Sequence, residues 1–518
     1  MLEQALKQQV QTLLAGLNSS YIFSIKTRPE DPNGKIMIDF LSEVASCSEQ
    51  ISIQVEEGDL PEFTILKNGE PTSIKFRAVP SGHEFSTLLL LILNLDGKGK
   101  NFPDEQVQSR IRNLRGEINL SSFISLSCTN CPDVVQSLNL IAILNPRVHH
   151  QIIDGAINRD LAEQKNIQAV PSLFAEDELL HVGRGSLGEL LEKLEKRYGS
   201  EQPSGEIAVS HQDVVVIGGG PAGTAAAIYA ARKGQRVAIV ADAIGGQVLE
   251  TTGIENLISV PRTTGRQLGN DLKGHLKEYP VHILENRKVV SLQIEEGKKA
   301  VITSSGEKLL ADAVIIATGA SWRRLNVPGE KEHIGAGIAF CTHCDGPLYK
   351  DKRVVVVGGG NSGLEAAIDL SAIASHVTVL EYLPQLKGDN VLQEKLHSLT
   401  NVTVQTSVAV QEVIGNGKTV TAIRYKERNS DQEQTLTTDG VFVQIGLSAN
   451  SAFAKDLVET TPQGEIRIDA FCRTNVPGIY AAGDVSTVPY KQIIIAMGEG
   501  AKAALSAFED SLKGQLSY

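Results

Sequence analysis

The stretch Val214-Val-Val-Ile-Gly218-Gly-Gly220-Pro221-Ala222-Gly223, followed by the alanine-rich run 224–232, decides the fold of the larger part of this 518-residue chain. A β-branched apolar run predicts a strand, and the small residues after it predict a helix. The G-x-G-x-x-G pattern between them has a steric purpose. Its first glycine permits a tight turn, its second lets a backbone approach a pyrophosphate, and its third lets the helix pack on the strand. The helix N-terminus then offers N–H groups to the anion. A second complete copy stands at Val354-Val-Val-Val-Gly358-Gly-Gly360-Asn361-Ser362-Gly363. Two fingerprints, each in strand-then-helix context, predict two bound dinucleotides and an α/β architecture of two Rossmann-like domains.

Working outward, short β-branched runs alternate with helical patterns at 213–217, 236–240, 313–317, 353–357, 377–380 and 440–445. This alternation is that of parallel sheets. The second strand of the second unit ends in Glu381, 23 residues after Gly358, where a residue reading the adenosine ribose is expected. A carboxylate there accepts from a 2′-OH and repels a 2′-phosphate, which predicts NADH as the donor. In the first unit Asp242 is a weaker counterpart, equally well read as a solvated loop residue. Ala317-Thr318-Gly319 and Ala482-Gly483-Asp484 each follow an apolar strand. The second places a carboxylate where a flavin ribityl hydroxyl can be held, next to a helix beginning near Lys491-Gln492-Ile493.

The region before residue 199 is different. Residues 199–211 are polar and hold Gly and Pro, which marks a linker. Ahead of it, 21–26, 35–39, 51–55 and 73–77 read as strands and 84–95 as a helix. A second block from residue 104 holds a strand at 123–126, a helix at 132–144, a strand at 151–154, and Val170-Pro171 before a strand at 172–174. Two blocks of similar size suggest a duplicated unit. The domains expected are therefore 1–103, 104–198, the linker 199–211, a FAD-binding domain of 212–323 plus 447–518, and an NADH-binding domain of 324–446.

Four of the six cysteines form two C-x-x-C pairs, Cys128/Cys131 and Cys341/Cys344. A structural zinc site needs four ligands, and the pairs lie about 210 residues apart in sequence, so a redox role is expected and no metal. Cys128-Thr-Asn-Cys131-Pro follows a strand and opens a helix, a position that lowers a thiol pKa. Cys47 and Cys472 read as small packed hydrophobes. The net charge of −12 argues against nucleic-acid or anionic-membrane binding. Residues 1–14 read as a polar amphipathic helix rather than a signal sequence. The longest apolar run, 88–93, is too short to span a bilayer. A cytoplasmic protein is expected.

Taken together, Gly218–Gly223, Gly245-Gly246-Gln247, Asn256, Ala317–Gly319, Cys341-Thr-His-Cys344-Asp345-Gly, Gly358–Gly363, Glu365 and Gly483-Asp484 make the last 300 or so residues resemble the thioredoxin-reductase type of pyridine-nucleotide disulfide oxidoreductase. The resemblance implies FAD on the first set together with Gln492 and Ile493, and a nicotinamide nucleotide on the second, with Glu365 beside the nicotinamide. It implies that Cys344 faces the flavin, Cys341 performs exchange and Asp345 donates the proton. One departure bears on the nucleotide. NADPH-using relatives carry basic residues just after the strand that ends at Glu381, and here none stands before Lys387.

Residues 1–198 look like two tandem thioredoxin-like units, the first without its cysteines. In such folds Val170-Pro171 resembles the cis-proline facing the dithiol, Cys128 is the exposed attacking thiol and Cys131 the resolving one. Fused to a reductase body, and with Ser125-Leu-Ser-Cys-Thr-Asn-Cys-Pro-Asp-Val-Val, Gly82-His-Glu-Phe85 and Val488-Pro-Tyr-Lys-Gln-Ile-Ile-Ile-Ala, the whole chain resembles the flavoprotein subunit of bacterial alkyl hydroperoxide reductase. That implies a homodimer whose acceptor is a two-cysteine peroxiredoxin, in the service of hydroperoxide detoxification. Glu84 reads first as a surface residue at a helix N-terminus, and second as a group tuning the dithiol. Two competing functions are an NADH oxidase reducing O₂ at the flavin, which leaves both C-x-x-C pairs idle, and a non-catalytic redox sensor, which leaves the nucleotide motifs idle.

Overall fold

The computed structural model describes every residue except 1–2, 127, 129, 166, 168–169, 202–209, 252, 335, 341, 418 and 517–518, and every side chain of the described residues except those of residues 250, 343, 344 and 347. The chain divides into two compact units, Met1–Gly205 and Glu206–Tyr518. The division falls inside 199–211, most of which lies outside the described residues.

The first unit is built on one eight-stranded sheet. Its spatial order is Ile51–Glu57, Tyr21–Thr27, Glu62–Lys67, Glu70–Arg77, Val148–Asp154, Ile118–Ile124, Ser172–Ala175, Glu178–Val182. The two sequence blocks use the same pairing. In each, the first two strands run parallel and the third and fourth are added antiparallel. Such a βαβ unit followed by a hairpin is the thioredoxin-like plan, laid down twice. The halves are zipped together where Glu70–Arg77 runs parallel to Val148–Asp154, with Ile74 opposite His150. One apolar core therefore runs through both halves, from Phe23 and Phe63 to Leu138, Ile152 and Leu190. His150 within it is wholly buried, bonded to Ser122 (2.8 Å) and Asn139 (2.7 Å), and burial pushes its pKa down to about 3. It is a neutral structural histidine.

One expectation is corrected here. Residues 35–39 are not a strand but part of the helix Pro32–Ala45. Asp31 caps it by accepting from the N–H groups of Asn33 (2.8 Å) and Gly34 (3.2 Å). Pro32 stands at the first helical position, and Met37, Leu41 and Val44 form the buried stripe. The cap and the i, i+4, i+7 spacing outweigh the local apolar alternation.

The second unit holds two large sheets and two small antiparallel ones. In the first, Val281–Leu284, Val237–Val240, Ser210–Ile217 and Lys308–Ile316 lie side by side and parallel, with Ile479–Ala481 parallel to Lys308–Ile316. In the second, all strands are parallel, in the order Ile338–Ala339, Gly440–Val443, Arg353–Val357, His376–Leu380, Val402–Gln405. The central strands Val237–Val240 and Gly440–Val443 and the ends of Ser210–Ile217, Lys308–Ile316 and Arg353–Val357 are apolar and buried on both faces, as covering of both faces demands. The chain crosses between the sheets on a two-stranded ribbon, Ala320–Trp322 antiparallel to Leu447–Ala449. Among the described residues no helix is long and apolar enough to cross a membrane.

Candidate active site

At the end of strand Ser210–Ile217 the chain turns through Gly218 (φ +114°), where a Cβ would stand 2.2 Å from the carbonyl oxygen of Ala317. A Cβ on Gly223 would stand 1.9 Å from Gly218 O. Neither position admits a side chain. At Gly220 the nearest atom to a Cβ, Gly245 O, is 4.0 Å away. This glycine keeps a space open above the start of helix Pro221–Arg232 rather than filling one, and Ala222 lies buried in its first turn. Gly245 and Gly246 wall that space, with Gly246 packed on Gly220 Cα.

The rest of the first site converges from distant sequence. Asn256 Nδ2 donates to Gln492 Oε1 at 3.2 Å. Gln492 stands at the position just before the helix Ile493–Leu512, of which Ile493 is the first residue. Thr318 Oγ1 donates to Asn450 O (2.7 Å) and Asn450 Nδ2 returns a bond to Thr318 O (2.9 Å), which clasps the 317–319 loop to the crossover ribbon. Gln247 is tied to the same ribbon. Its amide oxygen accepts from Trp322 Nε1 (3.0 Å) and its nitrogen donates to Ala320 O (3.2 Å). Asp484, after Gly483 (φ +73°), is largely enclosed and makes no side-chain hydrogen bond among the described residues. Burial raises its pKa, with Lys491 partly offsetting. A cradle that excludes side chains, an open helix N-terminus and an unbonded carboxylate across from it fit a flavin dinucleotide. Asp242 is exposed.

The second cradle repeats the geometry. A Cβ on Gly358 (φ +123°) would meet Gln444 O at 2.3 Å, one on Gly363 would meet Gly358 O at 2.0 Å, and one on Gly360 meets nothing within 4 Å. Helix Asn361–Ser371 starts there, with Ser362 and Glu365 on its exposed side. Asn361 and Asp389 exchange hydrogen bonds (3.1 and 2.8 Å). Glu381 is buried against the loop. One oxygen accepts from Gly359 N–H and the other from Leu383 N–H at 2.7 Å. Its carboxylate is thus held at the mouth of the nucleotide loop with lone pairs to spare.

Two basic residues stand in segments that pack against the turn after Glu381. The N–H of Lys387 donates to Gly359 O (2.8 Å), so the chain folds back onto the loop at that residue. Arg428 arrives from the end of strand Val420–Glu427. Its guanidinium lies 4.0 Å from the Tyr382 ring centroid and donates to Tyr382 O at 2.9 Å. No linear reading of 382–390 could find Arg428, which stands 46 residues from Tyr382 in sequence.

Of the second dithiol, Cys341 lies outside the described residues, and of Cys344 only the backbone is described, in the short helix Thr342–Asp345. Phe340 O, just before the pair, is held by Gln444 Nε2 at 2.8 Å. Burial pushes the Asp345 carboxyl up to about 6. A carboxyl with that pKa keeps an appreciable protonated fraction near neutrality, as a proton donor must.

In the first unit Cys128 and Cys131 are joined as a disulfide at the N-terminus of helix Cys131–Leu144. Cys131 is fully buried and its N–H points at Cys128 Sγ (3.1 Å), while Cys128 is partly exposed. The Val170–Pro171 bond is cis, and Val170 O lies 3.8 Å from Cys128 Sγ. Cys128 is thus the accessible member of the pair and Cys131 the enclosed one.

Glu84 is the main surprise here. It is 1% exposed, in the turn Gly82–Glu84 ahead of helix Phe85–Leu95, and neither carboxylate oxygen has a hydrogen-bond partner among the described residues. Burial first, then the charge of Asp133 in the first turn of the dithiol helix, push it up to about 7, with nearby Thr87 opposing. The surface reading of Glu84 is therefore wrong. Cys47 and Cys472 are buried free thiols.

Against known proteins, residues 212–500 match the pyridine nucleotide-disulphide oxidoreductase family and residues 118–196 a thioredoxin domain family. The chain is 47% identical over 517 residues to the F subunit of alkyl hydroperoxide reductase from Pseudomonas putida, covering 99% of each. The chain belongs to the family of alkyl hydroperoxide reductase F subunits. The Staphylococcus aureus (strain MSSA476) member is 44% identical over 511 residues, 98% of this chain and 99% of its own. The crystal structure of thioredoxin reductase from Streptococcus pyogenes covers 59% of this chain and all of its own, at 34% identity and a TM-score of 0.56. Family membership makes the chain a disulfide oxidoreductase that uses a flavin and a pyridine nucleotide.

Proposed function

We propose that the protein is an NADH:peroxiredoxin reductase in which electrons pass from NADH through FAD to Cys341/Cys344, then to Cys128/Cys131, and finally to the disulfide of a two-cysteine peroxiredoxin. The observation that carries this reading is the Cys128–Cys131 disulfide, Cys128 partly exposed and Cys131 buried, in the same chain as two dinucleotide cradles. FAD, when bound, would accept hydride from the nicotinamide and return an electron pair to a disulfide. Gly218, Gly220, Pro221, Ala222, Gly223, Gly245, Gly246, Gln247, Asn256, Ala317, Thr318, Gly319, Gly483, Asp484, Gln492 and Ile493 would hold it. Gly358, Gly360, Asn361, Ser362, Gly363, Glu365 and Glu381 would hold NADH, with Glu381 accepting from the ribose hydroxyls.

The protein's own groups handle the thiols and protons. Asp345 supplies a proton at the Cys341/Cys344 pair. Cys128 as thiolate attacks one sulfur of the partner disulfide, and the electron pair of that bond leaves on the other sulfur. Cys131 then attacks Cys128 Sγ, closing the internal disulfide and releasing the second partner sulfur as thiolate. Glu84, poised near neutrality, exchanges protons in this neighbourhood. A tethered carrier reaches an effective concentration on the order of mM, so no free carrier is needed. The test is steady-state NADH oxidation with peroxide, with and without a purified two-cysteine peroxiredoxin. Oxidation that depends on the peroxiredoxin is expected, and an equal rate without it would favour direct reduction of O₂ instead.

A further inference from the structure

The electron path leaves His181 unused, although few side chains in the first unit are so tightly constrained. It stands on strand Glu178–Val182, opposite Leu173, and is 7% exposed. Nε2 lies 2.9 Å from Gly183 O and 3.0 Å from Arg184 O. Both are acceptors only, so Nε2 carries the hydrogen and donates to the pair. Nδ1 then accepts from the Lys193 ammonium at 2.6 Å, and Lys193 is itself paired with Glu189 at 3.1 Å. Burial first and then the Lys193 charge lower the pKa of the ring, with Glu189, 3.5 Å from Nδ1, and the two loop carbonyls opposing. A Cβ on Gly185 would come within 2.6 Å of Nε2. The imidazole therefore occupies the hollow behind residues 183–185 that this glycine leaves.

That loop borders the exchange site on two sides. The Gly183 N–H donates to Pro171 O at 2.8 Å, beside the peptide whose Val170 O faces Cys128 Sγ. From the other side Arg184 Nε lies 3.7 Å from Asp133 Oδ2, in the first turn of the dithiol helix. A partner sulfur reaching Cys128 must come past this rim. Exchange needs the attacking, central and leaving sulfurs nearly in line, so a rim that is not already rigid has to be ordered by the docking partner, at the expense of its affinity.

We propose that His181 is a positioning residue for disulfide exchange: its imidazole, wedged behind Gly183–Gly185, holds that loop and the Pro171 loop together as one rigid rim on which the disulfide-bearing segment of the protein acceptor docks. The role rests on the proposed reduction of a peroxiredoxin. It accounts for a buried histidine whose two nitrogens are both committed to the loop and its supports, and for a glycine at 185.

Two measurements on the full-length holoenzyme test it. With a two-cysteine peroxiredoxin and hydrogen peroxide, His181→Ala should raise KM for the peroxiredoxin about tenfold and change kcat much less, while His181→Gln, which keeps an N–H donor, should recover most of the loss. By hydrogen exchange, the segment around Gly183 should open at least tenfold faster in His181→Ala than in the parent, with His181→Gln in between. A loss confined to kcat, or His181→Gln as impaired as His181→Ala, would reduce His181 to a packing residue. Unaltered exchange around Gly183 would also overturn the proposal. If the parent protein fails to reduce the peroxiredoxin but exchange responds as stated, the proposed function fails while the loop-holding role of His181 stands.

Discussion

Glu84→Gln should make the protein more resistant to alkaline destabilisation, by an amount that follows from burial. The Glu84 carboxyl is raised from an ordinary value of 4.5 to about 7. A group with a raised folded pKa binds its proton more tightly folded than unfolded. Its favourable contribution is therefore complete below the unfolded pKa and lost as pH rises through the folded one. The full span of the shift corresponds to roughly 3 kcal/mol at about 1.4 kcal/mol per unit. Between pH 5.5 and pH 8 about 2 kcal/mol of it should disappear from the parent, and none from a glutamine at the same place. In a unit of this size that is roughly 4–8 °C of melting temperature. Scanning calorimetry of both proteins at pH 5.5, 6.5 and 8 reads it directly. The advantage of Glu84→Gln should grow with pH by that amount. Two parallel curves would show that Glu84 is not a buried, poised carboxyl, and the proton-exchange role would go with it. The same variant should lower peroxiredoxin turnover by about a hundredfold, the lower end of the losses when a positioned proton carrier is removed.

Two further outcomes follow from the geometry. In Cys128→Ser, NADH should still reduce the flavin and the Cys341/Cys344 pair, whereas in Cys341→Ser the flavin should reduce and Cys128/Cys131 should stay oxidised; stopped-flow absorbance with thiol trapping separates the two, and electrons reaching Cys128/Cys131 in Cys341→Ser would break the proposed order. Glu381→Gln should narrow the NADH over NADPH preference in kcat/KM by about tenfold, since like charges a few ångströms apart cost roughly 1–4 kcal/mol at exposed sites and the amide oxygen can still accept from Gly359 or Leu383. Lys387 and Arg428 nearby argue for the smaller end of that range, and equal kcat/KM values in the unaltered protein would show that Glu381 does not read the ribose.

How much of this was legible in the sequence depended on whether the constraint was steric and local. Gly218, Gly223, Gly358 and Gly363 announce themselves because any side chain there would collide with backbone about 2 Å away. Such a requirement survives in the chain as a motif of fixed spacing. The Cys128-x-x-Cys131-Pro signal is similar, since the helix N-terminus and its first-turn proline are set within a few residues. Apolar strands buried on both faces could also be read without knowing their neighbours. Residues 35–39 failed because five residues of alternating pattern were weighed without the Asp31 cap and the later Leu41 and Val44.

The features that escaped a linear reading are those whose meaning is set by atoms far along the chain. Glu84 looks like any acidic residue in a first helical turn, a place where exposed carboxylates are favourable. What changes it is the cover supplied by the rest of the first unit and the second carboxylate, Asp133, brought up by the dithiol helix. Arg428 is 46 residues from Tyr382, and only the antiparallel ribbon that ends at Glu427 brings its guanidinium over the ring. His150 and His181 are both buried in the first unit, with opposite consequences. Around His150 the partners Ser122 and Asn139 lie within the core, and the bonds do no more than satisfy a buried ring. Around His181 the partners are two successive carbonyls of a loop that also bonds Pro171. The same side chain, buried in both places, becomes structural in one and positioning in the other because of what its acceptors are attached to.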